Sequence, residues 1–306
     1  MKRVGIVSSN EWKGKIKEDL LLQEKLRFLG FWADIISWED SQLDFTKYDC
    51  LVLRSAWGYH KKLVDFYAWL EKIEKSNIPL LNSPSLIRDN IKKDVQFEIL
   101  RKHNIPTIDT TFIKSQELVG ASIDDKVLSI VRSDFNGLDS IVIKPIVSGS
   151  GNNTYLLSLS GKIARSNLIS IEELQSYFSF LYNDVQNGLM IQPFISEIDS
   201  GETSSVFIDG ENTHNIKRYP SIFHDKRKPE EISLTSKEKD LARAVSNIPE
   251  YKDYLYMRVD MIELNGKPLI MEVELAEPDL LIKSVNDHKR QDEIIETFAK
   301  KLVRRM

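Results

Sequence analysis

Over residues 3 to 82, short apolar runs alternate with helical patterns, and this alternation restricts the fold more than any other feature of the chain. Arg3 to Ser8 (RVGIVS) reads as a buried strand, followed by a helix from about Lys15 to Phe28 that stops at Gly30, and by a second strand from Trp32 to Ile36. Tyr48 to Arg54 makes a third strand, Leu63 to Lys75 a helix, and Ile78 to Asn82 a fourth strand. Strands alternating with helices of this length predict a parallel sheet covered on its faces, with ligands bound beyond the carboxyl ends of the strands. The turn Arg54 to His60 lies at such an end. Its fixed cation, hydroxyl and aromatic walls suit a small molecule bearing a carboxylate, with Arg54, Ser55, Trp57 and Tyr59 as contacts. The competing reading is structural: the aromatics pack the loop and Arg54 makes an internal ion pair.

Composition narrows the classes. The 306 residues, 42% hydrophobic and 29% charged, fit a soluble globular chain long enough for two or three subdomains. A net charge of -4 argues against a non-specific nucleic-acid binder, which needs a clustered basic surface. No apolar run approaches the roughly 20 residues of a membrane helix, and Met1-Lys2-Arg3 leads straight into a strand, so no membrane association and a cytoplasmic location are expected. Cys50, the single cysteine, sits in an apolar run and reads as a buried thiol. The histidines at 60, 103, 214, 224 and 288 are too scattered for a zinc site.

A new unit is expected at Ser83-Pro84-Ser85, with Ser85 capping Leu86 to Asn90, then a helix from Lys92 to His103 and another near Ile123 to Arg132. Ile141 to Pro145 is a strand that runs into Ser148-Gly149-Ser150-Gly151-Asn152-Asn153 and returns through Thr154 to Leu159. Such a hairpin, with a tip that exposes backbone N–H groups, suits a phosphate-covering flap, although Ser/Gly/Asn runs are also common plain turns. Lys144, in the apolar strand before the tip, needs an anionic partner, and nucleotide phosphate is one choice. Strands follow at Leu189 to Ile195, Glu202 to Ile208 and His214 to Tyr219. A charged loop spans 224 to 231, and an amphipathic helix from Gln291 to Val303 carries Ile294, Ile295, Phe298 and Leu302 on its apolar face.

The densest chemistry lies between Tyr256 and Leu281 (YMRVDMIELNGKPLIMEVELAEPDLL). Two runs of period two flank Asn265-Gly266, which predicts a β-hairpin. Met271, Val273 and Leu275 should take one face of the second strand and Glu272 and Glu274 the other. A three-residue loop, Asn265 to Lys267, would pair Asp260 with Glu272, whereas a two-residue turn would put them on opposite faces; the longer loop is expected. Three carboxylates on one face repel one another unless a cation joins them, and hard oxygen donors favour Mg²⁺. A solvated acidic strand face is the plain alternative.

The order of these features resembles the ATP-grasp carboxylate–amine ligases over the whole chain. It runs from a helix lysine (N-I-K-K-D) through V-I-K-P with its glycine-rich flap, Q-P-F-I, a D-G-E turn and K-R-Y-P to D…E-x-E. Within that superfamily the chain is most similar to the glutathione synthetase and ribosomal protein glutamate ligase branch. R-S-A-W-G-Y, L-N-S-P and M-E-V-E-L-A-E-P look closest to the cycloserine-forming cyclo-ligase group, which closes O-ureido-D-serine. The resemblance implies an ATP-grasp fold, α/β (α+β), with an N-terminal substrate-binding domain over 1–84, a central subdomain with the flap over 85–188 and a C-terminal subdomain with the metal site over 189–306. It implies Lys93 and Lys144 on phosphate, with Ser148, Gly149, Ser150 and Gly151 covering it. Gln192, Pro193, Phe194 and Ile195 would meet adenine, with Glu202 near the nucleotide. Arg218 would lie on a reacting acyl phosphate, and Asp260, Glu272 and Glu274 on Mg²⁺, for which Mn²⁺ could substitute. Small-molecule carboxylate and amine substrates, ADP formation and a homodimer are further implications. Rivals are a non-catalytic nucleotide-binding module, a peptide-modifying ligase and a kinase without ligation. Ser204 stands where relatives often carry arginine, Glu274 where they carry asparagine, and Gly58 where the cyclo-ligase group carries aspartate, departures that bear on the substrate more than on the nucleotide.

Overall fold

In the computed structural model, which describes residues 1–118, 123–149, 151, 153–159, 168–169, 188–219 and 227–306, three sheets carry the chain. β1 (Arg3–Ser8), β2 (Trp32–Ser37), β3 (Cys50–Leu53) and β4 (Leu80–Leu81) form a parallel sheet in the order β2-β1-β3-β4. Period-two alternation within apolar runs explains its two coverings. Val4, Ile6 and Val52 pack with helices Lys17–Phe28 and His288–Arg304, while Val7, Leu51 and Leu53 pack with Phe66, Trp69 and Leu70 of helix Leu63–Lys75. The C-terminal helix thus completes the core of the N-terminal sheet.

The central sheet has the order β5-β9-β6-β7-β8, with β5 (Thr111–Ile113), β6 (Ser140–Pro145), β7 (Tyr155–Ser158), β8 (Leu168–Ile169) and β9 (Leu189–Pro193). Ile141 and Ile143 of β6 face a core with Val127 and Val131 of helix Ile123–Asp134, so Val142 and Lys144 face the opposite side. β9, the first strand after residue 188, hydrogen-bonds to β5 and β6 and so belongs to this sheet.

The last sheet, antiparallel throughout, has the order β12-β11-β10-β13-β14: β10 (Glu202–Ile208), β11 (Glu211–Arg218), β12 (Glu230–Glu231), β13 (Tyr256–Leu264) and β14 (Lys267–Glu274). Phe207, Met257, Val259, Met261 and Val273 bury one face against helix Ser236–Ser246. The other face divides along its length. Val206, Ile208, Ile216 and Tyr256 join the core beneath the C-terminal helix, and the polar residues of the same parity gather at the far end.

Two local expectations are corrected. Ser83, not Ser85, caps helix Pro84–Asn90: its Oγ accepts from Leu86 N at 3.2 Å, and Pro84 takes the first turn, where its missing N–H costs nothing. The β13–β14 turn has two residues, not three. Asn265 (φ 53°) and Gly266 (φ 71°) adopt the left-handed geometry that matches strand twist, and Leu264 pairs with Lys267. Asp260 nevertheless opposes Glu272, because a β-bulge shifts the register: Met261 pairs with Ile270 and Asp260 with Glu272, which leaves Met271 as the extra residue. Met271 therefore does not share the core face of Val273 and Leu275. It packs near Ile262, Phe194 and Ile195 on the other side.

Candidate active site

The polar end of the last sheet, the free face of β6 and β9 and the loops beyond β1 and β3 enclose a cavity of about 670 Å³. Sheet register assembles its charged wall, since directly opposed residues hold their Cβ atoms about 5 Å apart. Glu202 opposes Arg218, Ser204 opposes Asp260, Asp260 opposes Glu272 and Arg258 opposes Glu274. Arg218 donates to Glu202 at 2.8 Å, to Asp260 Oδ2 at 2.8 Å and to Ser204 Oγ at 2.6 Å. Arg258 binds Asp260 at 2.9 Å, pairs with Glu274 and donates to the Asp279 carbonyl at 2.9 Å. Lys93, at the start of helix Lys93–Lys102, reaches Glu272 at 2.9 Å and the Ser148 carbonyl at 3.1 Å. Lys144 lines the cavity from β6.

β14 is an edge strand, and side-chain amides satisfy its outer backbone groups. Asn90 donates to Val273 O at 2.7 Å and accepts from Leu275 N at 2.8 Å. Gln96 donates to Val273 O at 2.7 Å and accepts from Val273 N at 2.9 Å. Asn82 ties Leu255 N, at 2.6 Å, to the carbonyls of Tyr256 and Leu275. These three amides hold the strand that presents Glu272 and Glu274.

Burial and partners set the protonation of the wall. Burial pulls Lys144 down to about 8 against the attraction of Glu272. Burial pushes Glu274 up to about 7 despite Arg258, and repulsion from Glu272 and Asp260 adds to the rise. For Asp260 burial also acts upward, but Arg218 and Arg258 overcome it and bring the group down to about 2. Glu272 is lowered because Lys93 and Lys144 together outweigh its burial, and Glu202 is raised by burial that Arg218 only partly offsets. Among the described residues no three acids stand close enough to cage a metal by themselves. The donor chemistry still fits Mg²⁺ in its usual form, one or two carboxylates completed by phosphate and water. Glu272 and Glu274, with side chains 28% and 29% exposed, are placed for that, whereas Asp260, 5% exposed, has both oxygens engaged by Arg258.

Gln192, Pro193, Phe194 and Ile195 line an apolar stretch of the cavity with Ile108, Val142, Ile262 and Met271; Gln192 donates to Thr110 Oγ1 at 2.9 Å. Gly149 and Gly151 lie on the cavity wall, a Cβ on Gly149 would come within 3.2 Å of His60 Nδ1, and Ser150 lies outside the described residues. The N-terminal candidates separate. Trp57 and Tyr59 line the cavity, whereas Arg54 and Ser55 lie behind it. Arg54 pairs with Glu18 and Asp19, each at 3.6 Å, donates to Pro278 O at 3.2 Å and lies over the Tyr256 and Phe298 rings; Ser55 bonds Ser8 at 2.8 Å and Asp19 at 2.5 Å. Sequence reasoning passed over Arg258, Trp12, Glu277 and Asp279. Arg258 was within reach, for it shares the strand parity of Asp260, and an arginine in a buried run needs an acid beside it.

A covered parallel sheet followed by two sheets that close on a lysine- and carboxylate-lined cavity is the ATP-grasp fold, and the chain adopts it. The family described as D-cycloserine synthetase DcsG, N-terminal domain, matches residues 4–82. The chain is close in sequence and structure to D-cycloserine synthetase. It is 25% identical over 276 residues to the cycloserine biosynthesis protein DcsG of Streptomyces lavendulae, covering 85% of this chain and 86% of that protein. The crystal structure of D-cycloserine synthetase DcsG superposes with a TM-score of 0.81 at 21% identity over 99% of both chains. D-alanine–D-alanine ligase from Bacillus anthracis, solved with ATP, gives a TM-score of 0.65 at 16% identity over 99% of this chain and 96% of that one. No helix among the described residues is long and apolar enough to cross a membrane.

Proposed function

We propose that the chain is an ATP-dependent, ADP-forming carboxylate–amine ligase that works through an acyl phosphate on an amino-acid-like substrate. The observation that carries this reading is the convergence of Lys93, Lys144, Arg218, Glu272 and Glu274 on one cavity with an apolar recess beside it. The recess between Val142, Phe194 and Met271 takes the adenine, and the Gln192–Ile195 segment offers its edge hydrogen-bonding partners. Lys93 and Lys144 neutralise the triphosphate, and bound phosphate returns to Lys144 the protonation that burial weakens. Glu272 and Glu274 would hold Mg²⁺, and Asp260, bound by Arg258 and Arg218, would add its negative charge from behind them. The metal, when bound, draws charge from the β- and γ-phosphoryl oxygens.

The substrate carboxylate attacks the γ-phosphorus, a P–O bond forms, and the bridging bond to ADP breaks. Arg218, 23% exposed at the wall, stabilises the charge on the acyl phosphate. A nitrogen nucleophile then attacks the carbonyl carbon, the C–O bond to phosphate breaks, and the phosphate leaves with the proton the nitrogen sheds. The Ser148–Asn153 segment, closing from β6, excludes water that would hydrolyse the intermediate. In outline, residues 1–84 supply the substrate end, 85–188 the two lysines and the flap, and 189–306 the acids and arginines of the wall, with β9 at the start of that last stretch completing the central sheet.

The test is coupled measurement of ADP and phosphate release with Mg²⁺-ATP against pools of amino acids, ureido and hydroxy acids and short peptides. Stoichiometric ADP and phosphate is expected in one pool, with Glu272→Gln and Lys144→Ala silent while their circular dichroism spectra are unchanged. Full activity in Glu272→Gln refutes the metal assignment, and ADP without free phosphate makes the chain a kinase.

A further inference from the structure

One charged group on the cavity wall has no task in the reaction above. Beyond Glu274 the chain turns through Glu277, whose side chain lines the cavity together with Trp12 and Trp57. The Glu277 carbonyl accepts the Trp57 indole N–H at 3.0 Å, which fixes that ring to the segment carrying the acid. Trp12 meets Trp57 edge to face, with ring centroids 5.5 Å apart and planes at 77°. The neighbouring acids are matched: Glu202 and Asp260 on Arg218, Glu272 on Lys93, Glu274 on Arg258, and Asp279 on the Leu281 N–H at 2.9 Å and on Lys283 at 3.5 Å. Among the described residues the Glu277 carboxylate has no hydrogen-bond or ion-pair partner. Burial, reinforced by Glu274 and Glu272, holds its proton well above the usual carboxylate range, and the pull of Arg258 and Arg54 offsets this only in part.

A half-buried acid on a cavity wall shared with two indoles suits an organic cation, whose charge favours the ionised carboxylate and whose carbon groups meet aromatic rings. We infer that the Trp12–Trp57–Glu277 corner binds the ammonium group of the substrate, which makes Glu277 a specificity-determining residue and the substrate one with a free amine. The inference rests on the ligase reading for its orientation. With the amine held at Glu277, the rest of the molecule lies toward Glu274, Arg218 and the lysines, where its carboxylate would be activated. Acids without an amine, and amino acids blocked at nitrogen, bind more weakly because they bring no cation to favour the ionised form of Glu277.

The test needs no turnover. Tryptophan fluorescence of the full chain is titrated, without ATP, with D- and L-amino acids and dipeptides, each beside its N-acetyl counterpart. A free-amine member is expected to shift the emission, its N-acetyl form to fail, and Glu277→Gln to weaken binding about tenfold or more. Trp57→Phe should remove most of the signal change, and displacement of a fluorescent ATP analogue should be retained in Glu277→Gln, which shows that the variant is folded. Equal binding of acetylated and free forms, unchanged affinity in Glu277→Gln, or no response to any free-amine member overturns the inference. Glu277-dependent amine binding in a protein that never releases ADP would uphold this corner and refute the ligase reading.

Discussion

Two buried arginines in this molecule each face two carboxylates, and they do different work. Arg54 meets Glu18 and Asp19 behind the cavity, where all three side chains are sealed: 4%, 11% and 1% exposed. Arg258 meets Asp260 and Glu274, but Glu274 is 29% exposed and its neighbours Glu272 and Arg218 open to the cavity. The first cluster joins elements. Glu18 also accepts from Ile282 N at 2.9 Å, so helix Lys17–Phe28, the end of β3 and the segment after Glu274 meet on one guanidinium. The second cluster can exchange partners with an incoming anion or cation. The residue types are alike, and access to solvent is what separates a joint from a site.

That contrast can be broken by experiment. The largest effect expected is on folding: Arg54→Ala leaves two acids buried without their cation and should destabilise the protein by about 3–5 kcal/mol, read from urea unfolding. Nucleotide affinity in the surviving folded fraction should be unchanged, and a purely catalytic loss with normal stability would move Arg54 back to the substrate. Next in size is Arg218→Ala, which should lower turnover about 10²–10³-fold, the cost of losing one group that stabilises developing charge, with little change in the unfolding midpoint.

The smallest effect is a pH signature of the joint. Burial and repulsion from Asp279 raise Glu18 from 4.5 to about 7 against the pull of Arg54, so between those pH values the folded state holds a proton that the unfolded state has released. The Glu18 contribution to stability is therefore full below about 4.5 and falls as pH rises toward 7. His214, which burial lowers to about 4, acts in the opposite direction over part of that range. The informative quantity is thus the difference between wild type and Glu18→Gln, which should shift steadily in favour of the variant from pH 4.5 to 7. A flat difference would place the proton elsewhere.

Sequence patterning carried far where one face of an element is buried. The period of two in the strand after Asn265-Gly266 assigned Glu272 and Glu274 to a face other than that of Val273 and Leu275, and the resemblance singled out Lys93, Lys144, Glu272 and Glu274, which line one cavity. It fell short where the deciding contact was distant in the chain. Arg54 reads in the sequence equally as a substrate contact or as half of an internal ion pair, because its partners, Glu18 and Asp19, belong to a helix 35 or so residues earlier that shows no functional pattern. Asn82, Asn90 and Gln96 were ordinary polar residues until β14 was known to be an edge whose backbone they complete. Met271 is apolar on either face, so nothing in its identity announced a bulge.

The bulge also governs which changes in length the hairpin can absorb. It lies between the turn and the carboxylates, so an insertion at Asn265-Gly266 would be taken up at the tip while Asp260 and Glu272 keep their pairing. Deleting Met271 would remove the bulge and join Ile270 to Glu272 in a regular ladder, so Asp260 would still oppose Glu272 while the apolar recess would lose the thioether beside Phe194 and Ile195. The bulge is thus a place where the hairpin can lose one residue and keep its carboxylates opposed, with the apolar recess bearing the change.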